Sequence, residues 1–267
     1  MKFSLAATAA AVACASSQAA LIYATNFDTY NSAALSGQTA WVGTGGSWAV
    51  NGTVNTGQTS FLVTSNPTGS GKAVSATTEK YLSSGRTKAY LDLSNSGKWT
   101  TASAGGNNIL STSLDVYVQS SNPLACSFGI INWQTSAQAS SGLMIDYTGK
   151  VWYAKDGYSQ TSVTNNRTNT STTVTLNAWH TLRLDMNVAT GACVGFVDGT
   201  QVATFTSTKT GSPFASMMMS TTDAASGSTT ALNGYGFFDN YSVSATPAPG
   251  AAALVGLAGL MARRRRA

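Results

Sequence analysis

Residues 110–119 read Leu-Ser-Thr-Ser-Leu-Asp-Val-Tyr-Val-Gln, and their alternation is the strongest constraint on the fold. Leu110, Thr112, Leu114, Val116 and Val118 fall on one side of an extended chain; Ser111, Ser113, Asp115, Tyr117 and Gln119 fall on the other. A repeat of two is what a strand with one buried face needs. His180, Leu182, Leu184 and Met186 alternate with Thr181, Arg183 and Asp185 in the same way. From Leu21 to Ala245 short runs of this kind recur between clusters of Gly, Asn and Ser, with no long stretch at helical period. They predict strands at 21–27, 61–64, 87–93, 110–118, 126–132, 143–147, 151–154, 173–176, 179–188, 192–197, 201–205, 214–219 and 237–243. So many strands without intervening helices imply an all-β chain, a two-sheet antiparallel sandwich. A solenoid would show a fixed-period repeat, and none is present.

Turn chemistry adds detail. Asp198-Gly199 between two runs predicts a two-residue type I′ hairpin, and Thr190-Gly191 a similar turn one strand earlier. Residues 35–58, rich in Gly, Thr and Asn, predict a long loop or irregular hairpin over the first strand.

Charge is scarce. Charged residues are 9% of the chain against 43% apolar, so the surface is solvated by hydroxyls and amides. The formal charge of +5 is misleading: Lys2, Arg263, Arg264, Arg265 and Arg266 lie in the end segments. With those five set aside, ten basic residues balance ten acidic ones. A neutral domain with scattered cations lacks the basic face that nucleic-acid binding needs.

Both ends look like addresses. Lys2, an apolar run from Phe3 to Ala13, and Ser17-Gln18-Ala19 have the order of a secretory signal peptide cut after Ala19 or Ala20. Residues 1–19 are therefore expected to be a leader, 20–246 the domain and 247–267 a tail. The tail joins Pro247-Ala248-Pro249-Gly250, the uncharged run 251–262 and the cluster Arg263–Arg266. Twelve helical residues reach about 18 Å, short of a ~30 Å hydrocarbon core. The arginines fit the cytoplasmic side of a membrane-inserted segment. This order resembles the PEP-CTERM sorting signal of Gram-negative bacteria, with Pro247, Pro249, Gly250 and the four arginines matching. Ala248 stands where that family most often has Glu. The resemblance implies processing by an exosortase, a transient inner-membrane anchor and a final place in the envelope or extracellular matrix.

Within the domain, 179–205 (WHTLRLDMNVATGACVGFVDGTQVATF) resembles the concanavalin A-like and laminin G-like jelly rolls, and 236–243 their last strand. Many members cleave glycans with two closely spaced carboxylates. The jelly-roll glucanases use two Glu on one strand, but this chain has a single glutamate, Glu79. That departs from the hydrolytic pattern, and the expectation is that the chain is not an enzyme. Asp146, Asp156 and Asp185 are the aspartates for a divergent hydrolase, and His180, the one histidine, reads as packing. In related carbohydrate-binding modules an acid in the first strand and an Asp in the last share a structural Ca²⁺; the resemblance points to Asp28 and Asp239. Calcium takes six to eight oxygens, so carbonyls would complete the shell.

Cys14 belongs to the leader, which leaves Cys126 and Cys193 either paired as a disulfide or as two buried thiols. Trp41, Trp48, Trp99, Trp133 and Trp152 are candidates for stacking on sugar rings, against core packing as the commoner use. The expected function is an exported envelope protein, non-catalytic, binding extracellular polysaccharide or acting structurally.

Overall fold

The computed structural model describes residues 18–41, 46–51, 59–78, 86–122, 126–134, 138–156, 167–222 and 234–248. Its strands in chain order are β1 (Ala20–Thr25), β2 (Ala49–Asn51), β3 (Phe61–Ser65), β4 (Lys72–Thr77) and β5 (Arg86–Asp92). A short helix α1 (Lys98–Ser103) precedes β6 (Ile109–Val118), β7 (Cys126–Gln134), β8 (Gln138–Asp146), β9 (Lys150–Lys155) and β10 (Arg167–Thr173). Then come β11 (Trp179–Asn187), β12 (Ala192–Val197), β13 (Thr200–Thr206), β14 (Pro213–Thr222) and β15 (Tyr235–Thr246).

They form a two-sheet antiparallel jelly-roll sandwich. The eight-stranded sheet runs β13-β12-β11-β6-β15-β4-β3, with β1 also on β15. The seven-stranded sheet runs β10-β9-β8-β7-β14-β5-β2. Strand β15 organises the first sheet. One edge pairs with β6 along its length; the other pairs first with β4 and then, past an irregularity at Asp239–Ser242, with β1. Asn240 supplies the kink with φ of 46°, a conformation that Asn tolerates better than most residues.

The alternation in β6 and β11 buries Leu110, Leu114, Val116, Leu182 and Leu184 completely, in one core with Phe128, Ile130, Leu143 and Ile145 of the facing sheet. Each such side chain contributes roughly 1.5–3 kcal/mol. Polar groups cross the same interior. The Thr112 hydroxyl lies 2.7 Å from Ser216 Oγ and donates to Asn132 Oδ1 at 3.2 Å, while Tyr241 Oη donates to the Ser216 carbonyl at 2.9 Å. Burial pushes the Tyr241 phenol above its ordinary range, so it stays a donor.

Several expectations need correction. Helix α1 was not foreseen; it buries Trp99 and Ala102 beside the core. Thr173–Leu176 is not a strand: β10 ends at Thr173, bent at Ser171 with φ of 67°. Asp198 and Gly199 have φ of 49° and 77° and make the predicted hairpin turn, whereas Thr190-Gly191 does not. There only Gly191 is left-handed, and its N–H closes a wider loop on the Asn187 carbonyl at 2.8 Å. Of the expected loop at 35–58, residues 42–45 and 52–58 lie outside the described residues; the rest is bridged at Thr39–Ser47, drives Leu35 and Trp48 into the core and enters the sheet as β2.

Pro247 follows β15; Pro249, Gly250, Arg263, Arg264, Arg265 and Arg266 lie outside the described residues, as do 1–17 of the leader. Among the described residues no helix is long and apolar enough to cross a membrane.

Candidate functional site

Strands β7, β8 and β9 turn Phe128, Ile130, Leu143, Ile145, Val151 and Tyr153 into the core. By the two-residue period their other face carries Gly129, Ile131 and Trp133, then Gly142, Met144 and Asp146, then Lys150, Trp152 and Ala154. Ile131, Met144 and Ala154 form a second apolar cluster there, with Trp133 packed against it. This floor is tight. A Cβ on Gly129 would sit 2.2 Å from the Leu143 carbonyl oxygen, and one on Gly142 2.2 Å from Ile131 Cδ1. Glycine is required where strands and side chains approach this closely.

Two half-buried indoles stand on the floor, each with a cation above it. Lys88 Nζ lies 4.1 Å from the centre of the Trp133 ring, and Arg167 Cζ 4.8 Å from that of Trp152. Both are within cation–π range. Asp146 fixes Trp152: its carboxylate accepts the indole Nε1–H at 2.7 Å, together with Thr148 N at 2.8 Å, Thr148 Oγ1 at 2.6 Å and Lys150 N at 3.0 Å.

The five tryptophans considered for sugar stacking divide accordingly. Trp48 and Trp99 are core residues, and Trp41 packs on the core edge-to-face with Tyr23 at 5.5 Å. Trp133 and Trp152 alone of the five reach the outer face of the seven-stranded sheet. For Trp152 the signal was present, since it opposes Val151 and Tyr153 on its strand. Trp133 could not be read, because β7 is apolar on both sides.

The outer face of the eight-stranded sheet differs. Trp179, Tyr117 and Phe237 form an aromatic row across β11, β6 and β15, with centroid separations of 5.5 and 6.0 Å. Thr68, from the β3–β4 tip, reaches over and accepts the Trp179 Nε1–H at 2.8 Å. One step along lies the carboxylate group. Asp239 and Asp115 are direct cross-strand partners, and Asp28 stands close enough to act on Asp239 electrostatically. Burial first, then repulsion from Asp115 and Asp28, raises the Asp239 carboxyl to about 6, against hydrogen bonds from Asn240 N and Asn66 Nδ2.

Asp28 and Asp239 thus lie within electrostatic range of each other, and Asp115 stands across the ladder from Asp239. Their oxygens suit calcium, but their arrangement does not make its shell. Asp28 accepts from Lys72 N at 2.7 Å and Asn26 Nδ2 at 2.8 Å, and Asp115 from Thr181 Oγ1 at 2.6 Å and Asn240 Nδ2 at 2.7 Å. Among the described residues no three of His, Cys, Asp or Glu converge to hold one ion.

The other candidates are dispersed. Asp156 accepts from Ser207 Oγ and Thr208 N, and Asp185 from Ser111 Oγ beside Arg183. Asp146 ends β8 and Asp156 follows β9 beside Ser140, six residues back along β8, while Asp185 lies on β11 in the other sheet, so the three make no facing pair. His180 Nδ1 meets Asp198 Oδ2 at 2.8 Å and Nε2 meets the Thr175 carbonyl at 2.8 Å, so the imidazole braces a strand and two turns. Cys126 and Cys193 are buried thiols in different sheets, not a disulfide. Cys126 lies level with Tyr147 and Cys193 interacts with Ser141. Six residues of extended chain separate those levels by about 20 Å, whereas a disulfide needs Cα atoms within about 7 Å. Burial pushes the Cys193 thiol up to about 12, and it donates to the Gly191 carbonyl.

No protein-family model matches the chain, and no curated protein does. Solved structures do. The binding domain of botulinum neurotoxin DC, solved with rat synaptotagmin II, is similar with a TM-score of 0.50 at 12% identity, over 86% of this chain and 49% of that one. The binding domain of botulinum neurotoxin serotype C1 gives 0.50 at 11% identity, over 90% and 52%. This chain spans about half the length of those binding domains. Domain 4 of AbnA, a GH43 extracellular arabinanase of Geobacillus stearothermophilus solved with arabinotriose, gives 0.48 at 16% identity, over 86% and 94%. At such identities the toxin domains bear on the fold alone.

Proposed function

We propose that the chain is an exported, non-catalytic sandwich, sorted to the cell envelope through its tail, that holds an extracellular polysaccharide on the outer face of its seven-stranded sheet. One observation carries the binding half: Trp133 and Trp152 stand half-exposed on a glycine-tightened apolar floor, with Lys88, Arg167 and Asp146 against their rings. Sugar sites take this form, flat apolar surface for C–H faces with a few placed donors for orientation. The sorting half rests on the leader and the proline–apolar–arginine tail, with an exosortase as processing partner.

Affinity electrophoresis of the exported chain in gels cast with a panel of polysaccharides tests the binding. Retardation in at least one gel, abolished by Trp152→Ala without loss of fold, is expected; unretarded migration in every gel refutes it. Mass spectrometry of the envelope-associated protein reads the sorting, since an uncut tail on the mature chain contradicts exosortase processing.

A second reading, a hydrolase working through aspartates, draws on Asp239. A carboxyl raised to about 6 by burial, with Asp115 across the ladder from it, has the character of a general acid. It requires reducing ends to be released from a polysaccharide, and Asp239→Asn to stop the release.

A further inference from the structure

The sequence offers a leader-cutting peptidase two sites. Ser17-Gln18-Ala19 is one, and Ala13-Cys14-Ala15, directly after the apolar run, is the other. Both have small residues at the two required positions, and leaders of 15 and 19 residues are both of ordinary length. The pattern does not choose between them, but the folded domain does.

Gln18 is tied to the domain. Its carbonyl accepts from Asn107 Nδ2 at 3.0 Å. Asn107 is 3% exposed and lies just past α1, where Nδ2 also donates to the Ala102 carbonyl at 3.1 Å. These two carbonyls take both hydrogens of the amide nitrogen. Asn107 Oδ1 is buried and has no donor among the described residues. The amide is therefore held through Nδ2 alone, and one of its two holds lies ahead of β1.

A cut after Ala19 removes that hold. It leaves an unpaired N–H next to an oxygen already without a partner, and unpaired polar groups are costly to bury. The new α-ammonium cannot stand in for the lost carbonyl, because it has no lone pair with which to accept. It also brings a charge to Ala20, which is half-buried, packs on the core and pairs with Ala245. A cut after Ala20 removes that pairing as well. A cut after Ala15 does none of this: Gln18 stays, and the charge sits on Ser16, four residues ahead of the strand.

Resting on the export reading above, we infer that the leader is removed after Ala15, not after Ala19 or Ala20, and that Gln18 is a structural residue of the mature domain, held by Asn107.

Mass spectrometry of the N-terminal peptide of the exported protein tests the cut. The peptide is expected to begin at Ser16. A start at any other residue overturns the inference and leaves export standing. A chain that keeps Met1 and stays in the cytosol takes the export reading down with it. Thermal unfolding tests the hold, in chains that begin at Ser16 or at Ala20 and are otherwise complete. The Ser16 chain is expected to melt about 2–4 °C higher, the size of one hydrogen bond at a buried amide. Asn107→Ala should bring the two chains together. Gln18→Ala, which keeps the backbone carbonyl, should leave the Ser16 chain unchanged. Equal melting of the two chains, or a difference that persists in Asn107→Ala, overturns the role given to Gln18.

Discussion

The two outer faces of the sandwich are built from the same kinds of side chain and differ in what they do with charge. On the seven-stranded sheet, aromatic rings lie under cations and the carboxylates are spent on local donors. On the eight-stranded sheet, the aromatic row packs on itself and is tied down by Thr68, while Asp115 and Asp239 are left opposite each other. Opposed like charges destabilise a strand pair. On one face the indoles lie under cations and Asp146 is held by four donors; on the other two carboxylates stand across the ladder from each other, held by donors from Asn66, Asn240 and Thr181.

The contrast breaks most sharply at the floors. Gly129→Ala places a methyl against the backbone of β8, where neither the Leu143 carbonyl nor Met144 Cα can move without breaking the ladder. The expected cost is about 3 kcal/mol, the upper end for overpacking, read as a fall in the urea midpoint. Ser113→Ala, on the outer face of the other sheet, should cost under about 1 kcal/mol. Comparable effects at the two sites would mean that the glycine floor is no tighter than the rest of the surface.

Next in size is the brace under Trp152. Asp146→Ala strips four donors of their acceptor at a buried position. Lost bonds to a charged group cost about 2 kcal/mol net, and the indole loses its anchor. Thermal unfolding should show the loss of stability. The intrinsic fluorescence of a Trp133→Phe background should show Trp152 becoming more exposed. A stable Asp146→Ala variant with unchanged fluorescence would assign the orientation of Trp152 to Arg167 instead.

How much of this could be read in the sequence depends on whether two-residue alternation survives. It does in β6 and β11, whose inward residues Leu110, Leu114, Leu182 and Leu184 all reach the core. It fails in β7, where Phe128 and Ile131 are both buried on opposite faces and Trp133 has no visible side. It fails also in β10, Arg-Thr-Asn-Thr-Ser-Thr-Thr, an edge strand with no apolar face to detect. Asp28 and Asp239 were linked through a family resemblance. Asp115 was invisible because alternation marks it only as solvent-facing, and its neighbour across the ladder is 124 positions further along the chain. Local pattern tells which way a residue points, and only the register tells what it meets.

The smallest effects concern that anionic pair and decide what it is. Asp239 carries a carboxyl at about 6 in the folded chain against 3.8 for the free side chain. Between about pH 4 and 6 the folded state therefore keeps a proton that the unfolded state has released. Linkage then makes this group's contribution fall as pH rises through that window, opposite to a salt-bridged aspartate. Asp239→Asn keeps an acceptor for Asn240 N and removes the repulsion, so it should stabilise the chain by about 1 kcal/mol at pH 7 after allowance for solvent screening. The gain should vanish near pH 4. Millimolar Ca²⁺ should raise the melting temperature of the unsubstituted chain by less than the substitution does, because Asp28 and Asp115 already have donors. A larger rise with calcium, lost in Asp239→Asn, would mean that the three carboxylates turn to form an ion site.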